Sequence, residues 1–121
     1  MILGVDIGGT KTLLGVFDTM GEVVETLKFP TPKEYDQFLA ELKTNFNNLK
    51  EKSFETAVVA IPGMLNRGKG TFLRAGNLSW HDVAIVEDLQ TAVGITTLEA
   101  ENDAKLAGLF EAQAFPDSLV L

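Results

Sequence analysis

The chain contains no cysteine, which excludes disulfides and any thiolate metal site within it. It is also poor in bases, with 10 Lys and Arg against 17 Asp and Glu and a net charge of -7. Nucleic acid is therefore not the expected main partner, since phosphate backbones call for clustered Lys and Arg. No apolar run approaches the roughly 20 residues of a membrane span. The opening residues, Met1-Ile2-Leu3-Gly4-Val5-Asp6, lack the basic region and long apolar core of a secretion signal. There is one histidine, no internal repeat and no low-complexity tract. Together these absences predict a soluble cytoplasmic protein without membrane or nucleic-acid partners.

What is present suits a packed domain: 121 residues, 45% of them apolar, enough for one compact core. Residues 2–7 and 12–17 are apolar runs on either side of Gly8-Gly9-Thr10-Lys11, which predicts a hairpin turning at the glycines. A turn over residues 18–21 and a third strand over 22–29 follow, closed by Pro30 and Pro32. From 34 to 50 the apolar residues Tyr35, Phe38, Leu39, Leu42, Phe46 and Leu49 fall at steps of 3, 1, 3, 4 and 3, one stripe of an amphipathic helix. Residues 56–61 predict a buried strand, and 64–80 a loop apart from Thr71-Phe72-Leu73. A helix over 83–93 ends at Gly94, and a strand is expected over 95–100. A helix capped by Asn102 runs from Asp103 to about Phe115, and 118–121 starts another strand. The order βββαβαβα predicts an α/β fold with a mixed sheet flanked by helices, one lobe of the actin-like, ribonuclease-H-like ATPase fold.

Three motifs carry candidate chemistry. In Asp6-Ile7-Gly8-Gly9-Thr10-Lys11 the glycine pair permits positive φ and close approach of amides to an anion. Lys11 supplies a mobile charge, Thr10 a hydroxyl, and Asp6 a carboxylate placed to hold Mg²⁺ through water. The glycines lead into a strand, so this is not a Walker loop. An ordinary hairpin turn with an exposed lysine fits the same residues. In Glu101-Asn102-Asp103, at a strand-to-helix junction, Asp103 can accept a proton from a substrate hydroxyl at the sheet's carboxyl edge. The helix N-terminus favours its charged form, while simple helix capping by Asn102 and Asp103 is the plainer reading. In the loop from Pro62-Gly63 to Asn77-Leu78-Ser79-Trp80, Asn77 offers a donor and an acceptor suited to a sugar hydroxyl. Trp80 is either a sugar-stacking ring or a core residue, and His81 a surface neighbour. Arg67 and Lys69 read as solvated loop charges.

The ordered set Asp-Ile-Gly-Gly-Thr-Lys at 6–11, Pro62-Gly63, Asn77-Leu-Ser-Trp80 and Glu101-Asn-Asp-Ala104 resembles the ROK family of bacterial sugar kinases and related repressors, along essentially the whole chain. The resemblance implies two actin-like lobes with the active site between them, of which residues 1–121 form the N-terminal one. It implies ATP-phosphate contacts for Gly8, Gly9, Thr10 and Lys11, the base role for Asp103, and sugar contacts for Gly63, Asn77, Asn102 and Asp103. Glu111, in place of the family's helix glutamate, is supporting at best. Ala60 and Lys105 depart from the family's usual small-residue choices. The second phosphate loop, the adenosine site, further sugar ligands, the zinc motif and most dimer contacts belong to the part this chain lacks. The expected function is thus the N-terminal half of an ATP-dependent, glucokinase-like hexose kinase, inactive alone, with Mg²⁺ as cofactor and a homodimer open for the whole protein. The sugar and the choice of ATP or polyphosphate stay open. A sugar-sensing repressor of the same family is the alternative. It requires a DNA-binding domain ahead of Asp6, which Met1 is expected to preclude. An actin-like structural ATPase shares the hairpin but gives no reason for Asn77 or Asn102-Asp103.

Overall fold

The computed structural model describes residues 1–61, 63–66, 68–74 and 79–101. The expected helix after Asn102 and the strand over 118–121 lie outside the described residues. The chain opens as an antiparallel meander of β1 (Ile2–Ile7), β2 (Lys11–Phe17) and β3 (Val23–Pro30). The β2–β3 turn is held by Asp18, whose Oδ1 accepts the amides of Met20 and Glu22 at 2.9 Å each. Gly21 takes the positive φ of 82° that this turn needs.

Helix α1 (Tyr35–Asn47) buries Phe38 and Leu42 and half-buries Tyr35, Leu39 and Phe46. It stops short of the predicted Lys50 because the Asn48 amide is shared between the Thr44 and Asn45 carbonyls and the Leu49 amide bonds Phe46, the tightening typical of a last turn. Leu49 remains in the core outside the helix. Truncating the fully buried Phe38 to alanine would cost about 3–5 kcal/mol in lost transfer energy and cavity.

Strand β4 (Thr56–Ala60) pairs parallel to β1. The segment expected as loop then forms a hairpin, β5 (Met64–Asn66) and β6 (Thr71–Arg74). Its strands are too short to show a period, and it is held from outside. The Phe72 and Val83 amides and carbonyls exchange bonds of 2.8 and 3.0 Å, and the Val86 amide bonds the Gly70 carbonyl. A Cβ on Gly70 would meet Val86 Cβ at 3.0 Å, so glycine lets the hairpin lie against the next helix. Bridged to Phe72, Val83 is not helical as expected, and α2 (Ile85–Val93) starts two residues later. It ends at Gly94 in the left-handed region, φ 70°. The last described strand is β7 (Leu98–Glu101), not 95–100. Ile95 instead packs into the core while the chain turns, with the Thr96 carbonyl accepting Gln90 Nε2 at 2.7 Å.

The main sheet is mixed, in the order β3-β2-β1-β4-β7. One face carries Leu3, Val5, Ile7, Leu14, Val16 and Val59 against Phe38 and Leu42 of α1 and Ile85 and Leu89 of α2. By strand alternation, the other face carries Asp6 with its cross-strand neighbours Leu13 and Ala60. Leu13 and Ala60 are also buried. Among the described residues no helix is long and apolar enough to cross a membrane.

Candidate functional site at the carboxyl edge of the sheet

The three mutually parallel strands β1, β4 and β7 end at the same edge. Their register aligns Asp6 with Ala60 and Ala60 with Glu101. This is the edge at which open α/β sheets bind ligands. The glycine turn of residues 8–11 rises from it, between the Ile7–Thr12 pair, and Asn102-Asp103 follow Glu101 directly in sequence. The topology thus brings the first motif and Glu101, the first residue of the second, to one edge.

The turn is built by contact, not by unusual dihedrals. The Gly8 amide donates to the Lys11 carbonyl at 3.0 Å, and a Cβ on Gly8 would sit 2.9 Å from that same oxygen. Neither Gly8 nor Gly9 adopts positive φ. The expectation that the pair serves for left-handed backbone is corrected: at position 8 it is the close approach that demands glycine. Gly8 and Gly9 are half-exposed, and Thr10 and Lys11 are exposed, so hydroxyl and ammonium are open to solvent while the Gly8 amide is committed to the Lys11 carbonyl. Lys11 makes no ion pair among the described residues. Asp6 is half-buried. No three His, Asp or Glu side chains converge as metal ligands among the described residues. A carboxylate alone, completed by water and phosphate oxygens, nonetheless fits the demands of Mg²⁺, which keeps several waters and takes one or two carboxylates.

Gly63, just past β4, has φ 104° and is exposed; only glycine takes this conformation without strain. Pro62, Asn77, Asn102, Asp103 and Glu111 lie outside the described residues.

Trp80 is a core residue, 3% exposed. Its ring lies 4.5 Å from Phe38, 5.4 Å from Tyr35 and 6.4 Å from Phe72. A sugar-stacking role is thereby excluded, and Nε1 donates to the Lys33 carbonyl at 2.9 Å. His81 is exposed, 3.7 Å from the Asp82 carboxylate. Tyr35, half-buried, donates its hydroxyl to Asp88 at 2.7 Å; burial, and then that bond to a carboxylate, push its pKa far upward.

Two features escaped sequence reasoning. One is the buried hydroxyl pair of Thr12 and Thr31, 2.8 Å apart. It becomes visible only once the β2–β3 register is known. The other is a groove of about 600 Å³ between the hairpin, α2 and β7, lined among others by Leu65, Lys69, Val86, Glu87 and Glu99. Its charges are mixed, so it offers no concentrated field for phosphate.

Comparison with known proteins bears on the family and the fold. The model of the ROK family matches residues 2–117. The chain is 32% identical over 108 residues to a glucokinase of Streptomyces coelicolor, covering 88% of this chain and 34% of that protein. It is 34% identical over 119 residues to an N-acetyl-D-glucosamine kinase of Haemophilus influenzae, covering 93% and 38%. Among solved structures, the ROK family glucokinase of Streptomyces griseus, in complex with glucose and AMPPNP, superposes with a TM-score of 0.79 at 28% identity, over 93% of this chain and 36% of that one. The chain therefore spans little more than a third of the relatives it matches, and its fold is the mixed-sheet, actin-like lobe expected from its sequence.

Proposed function

Since this chain belongs to the ROK family, we propose that it is the N-terminal half of a kinase that moves the γ-phosphoryl group of ATP to a sugar hydroxyl. The observation that carries the proposal is the shared edge: Asp6, Ala60 and Glu101 in one register row, with the exposed glycine–lysine turn rising beside it. In this reading the Gly9 amide, the Thr10 hydroxyl and Lys11 hold the phosphates, and Gly8, its own amide bonded to the Lys11 carbonyl, shapes the turn that presents them. Asp6 orients a hydrated Mg²⁺, which supplies neutralisation of charge on the phosphate oxygens. Asp103 accepts the proton of the attacking hydroxyl, and Gly63, Asn77 and Asn102 seat the sugar. A weak base suffices, because phosphoryl transfer passes through a loose transition state in which alignment outweighs base strength. The remaining phosphate, adenosine and sugar contacts come from a second lobe, so residues 1–121 alone should show no turnover. The site of action is the cytoplasm, where ATP is supplied.

The test is MgATP-dependent phosphorylation of a sugar panel by the longest reading frame containing this chain. The panel includes glucose, mannose, N-acetylglucosamine and N-acetylmannosamine, because relatives bear the names of glucose, N-acetylglucosamine and N-acetylmannosamine kinases. One strongly preferred sugar is the expected result. Sugar binding without turnover on any member would move the assignment to a sugar sensor.

A further inference from the structure

The segment between β3 and α1 belongs to none of the three motifs, yet it is bonded towards two of them. On one side the Thr31 amide donates to the Thr10 carbonyl at 3.0 Å, inside the glycine turn. The Thr31 hydroxyl pairs with that of Thr12 at 2.8 Å, both side chains being buried. On the other side, two residues later, the Lys33 carbonyl accepts two donors, Ser79 Oγ at 2.7 Å and Trp80 Nε1 at 2.9 Å. Ser79 and Trp80 close the loop that carries Asn77 in sequence. Trp80 is in turn fixed among the Phe38, Tyr35 and Phe72 rings.

We propose that residues 31–33 form a strap that locks the phosphate turn and the end of the Asn77 loop into one unit, with Thr31 as its positioning residue. The physical argument is the placement of the bonds. A turn joined to the protein only through its own two strands can rock about them. A third attachment at the Thr10 carbonyl removes that freedom, and two buried hydroxyls satisfying each other hold Thr31 in register, since either one left alone carries a desolvation penalty. Because the same short segment also anchors Trp80, displacement at one motif is felt at the other. The geometry stands independently of the kinase reading; the kinetic consequence rests on it.

The experiment is residue-resolved amide hydrogen exchange on the longest reading frame containing the chain, unaltered and as Trp80→Phe and Thr31→Val. Trp80→Phe keeps a ring but removes the donor to Lys33. The strap predicts exchange about three- to tenfold faster at the Gly8 and Thr31 amides, reached only through the segment, with no change at Ala57, whose amide bonds the distant Thr97 carbonyl. No change at Gly8 and Thr31, or an equal rise at all three amides, overturns the proposal. Thr31→Val should quicken exchange at the Gly8 amide and at the Trp80 indole N–H, which donates to the Lys33 carbonyl, and Thr31→Ser should restore it; a Trp80 indole N–H indifferent to Thr31→Val also overturns it. If the unaltered protein phosphorylates a sugar, both disruptive variants raise KM for MgATP about three- to tenfold with a smaller change in kcat, and an unmoved KM removes the kinetic role. If the unaltered protein shows no turnover, the kinase reading fails while the exchange result still decides the strap.

Discussion

Alanine at position 8 is the sharpest available perturbation of the glycine turn. Its Cβ would stand 2.9 Å from the Lys11 carbonyl oxygen, where ordinary contact begins at 3.4 Å, so the oxygen must retreat by roughly half an ångström. It has little freedom to do so. Lys11 is the first residue of β2 and is paired with Pro30, and the neighbouring Thr10 carbonyl is bonded to the Thr31 amide. Retreat stretches the Gly8–Lys11 bond and loosens the strap, at a combined cost of about 1–3 kcal/mol. Spent on the geometry of the turn, 1.4 kcal/mol is a tenfold loss of affinity. Gly8→Ala should therefore lower the thermal midpoint and raise KM for MgATP at least about fivefold, while sugar affinity moves less. Gly68→Ala is the control. Its nearest contact would be Asn66 Oδ1 at 3.6 Å with no positive φ, so a change within about 0.5 kcal/mol is expected. The reasoning is refuted if Gly8→Ala matches Gly68→Ala in both midpoint and KM.

Asp103→Asn in the longest reading frame should abolish turnover and leave sugar binding by calorimetry largely intact; retained turnover would remove Asp103 from the base role. Tyr35 predicts an alkaline effect. Its hydroxyl pKa is raised in the folded protein, so its contribution is complete below the unfolded tyrosine value of about 10 and is lost as pH rises above it, at most about 1.4 kcal/mol per pH unit and less with solvent screening. Tyr35→Phe should be the less stable protein at pH 8 by about 1 kcal/mol and should close that gap between pH 10 and 11. Urea midpoints falling in parallel for both proteins across that range would contradict it.

The meander, α1, β4 and α2 were legible because each announces itself locally, by an apolar run against a glycine turn or by a stripe at helical spacing. The β5–β6 hairpin was not. Strands of three and four residues show no period, and what fixes them is Val83 and Val86, beyond the segment itself. Val83 was misread for the same reason, since its bridge to Phe72 ties it to a distant strand. The motif 6–11 was legible as a turn, but the reason for its glycine was not: a 2.9 Å approach to a carbonyl exists only in the folded register. Trp80 beside Asn77 reads equally as ligand platform or core until the rings of Phe38, Tyr35 and Phe72 are placed around it. The Asn102-Asp103 pair lies outside the described residues, and its role rests on sequence and on the edge that Glu101 reaches.

The strand order β3-β2-β1-β4-β7 has a consequence for how the protein is made. The first three strands are neighbours in both sequence and space, so residues 2–30 can close their hairpins as soon as they leave a ribosome, with short loops and little entropy to overcome. The ligand edge cannot form so early. Asp6 waits for Ala60, and Ala60 for Glu101, so the row on which the proposed chemistry depends is complete only when the last described strand has been synthesised and threaded alongside β4. During that interval β1 presents an open, apolar edge strand to the cell, the kind of surface that invites wrong partners. Slowed translation between residues 30 and 60 should therefore lower the yield of soluble protein more than the same delay placed before residue 30.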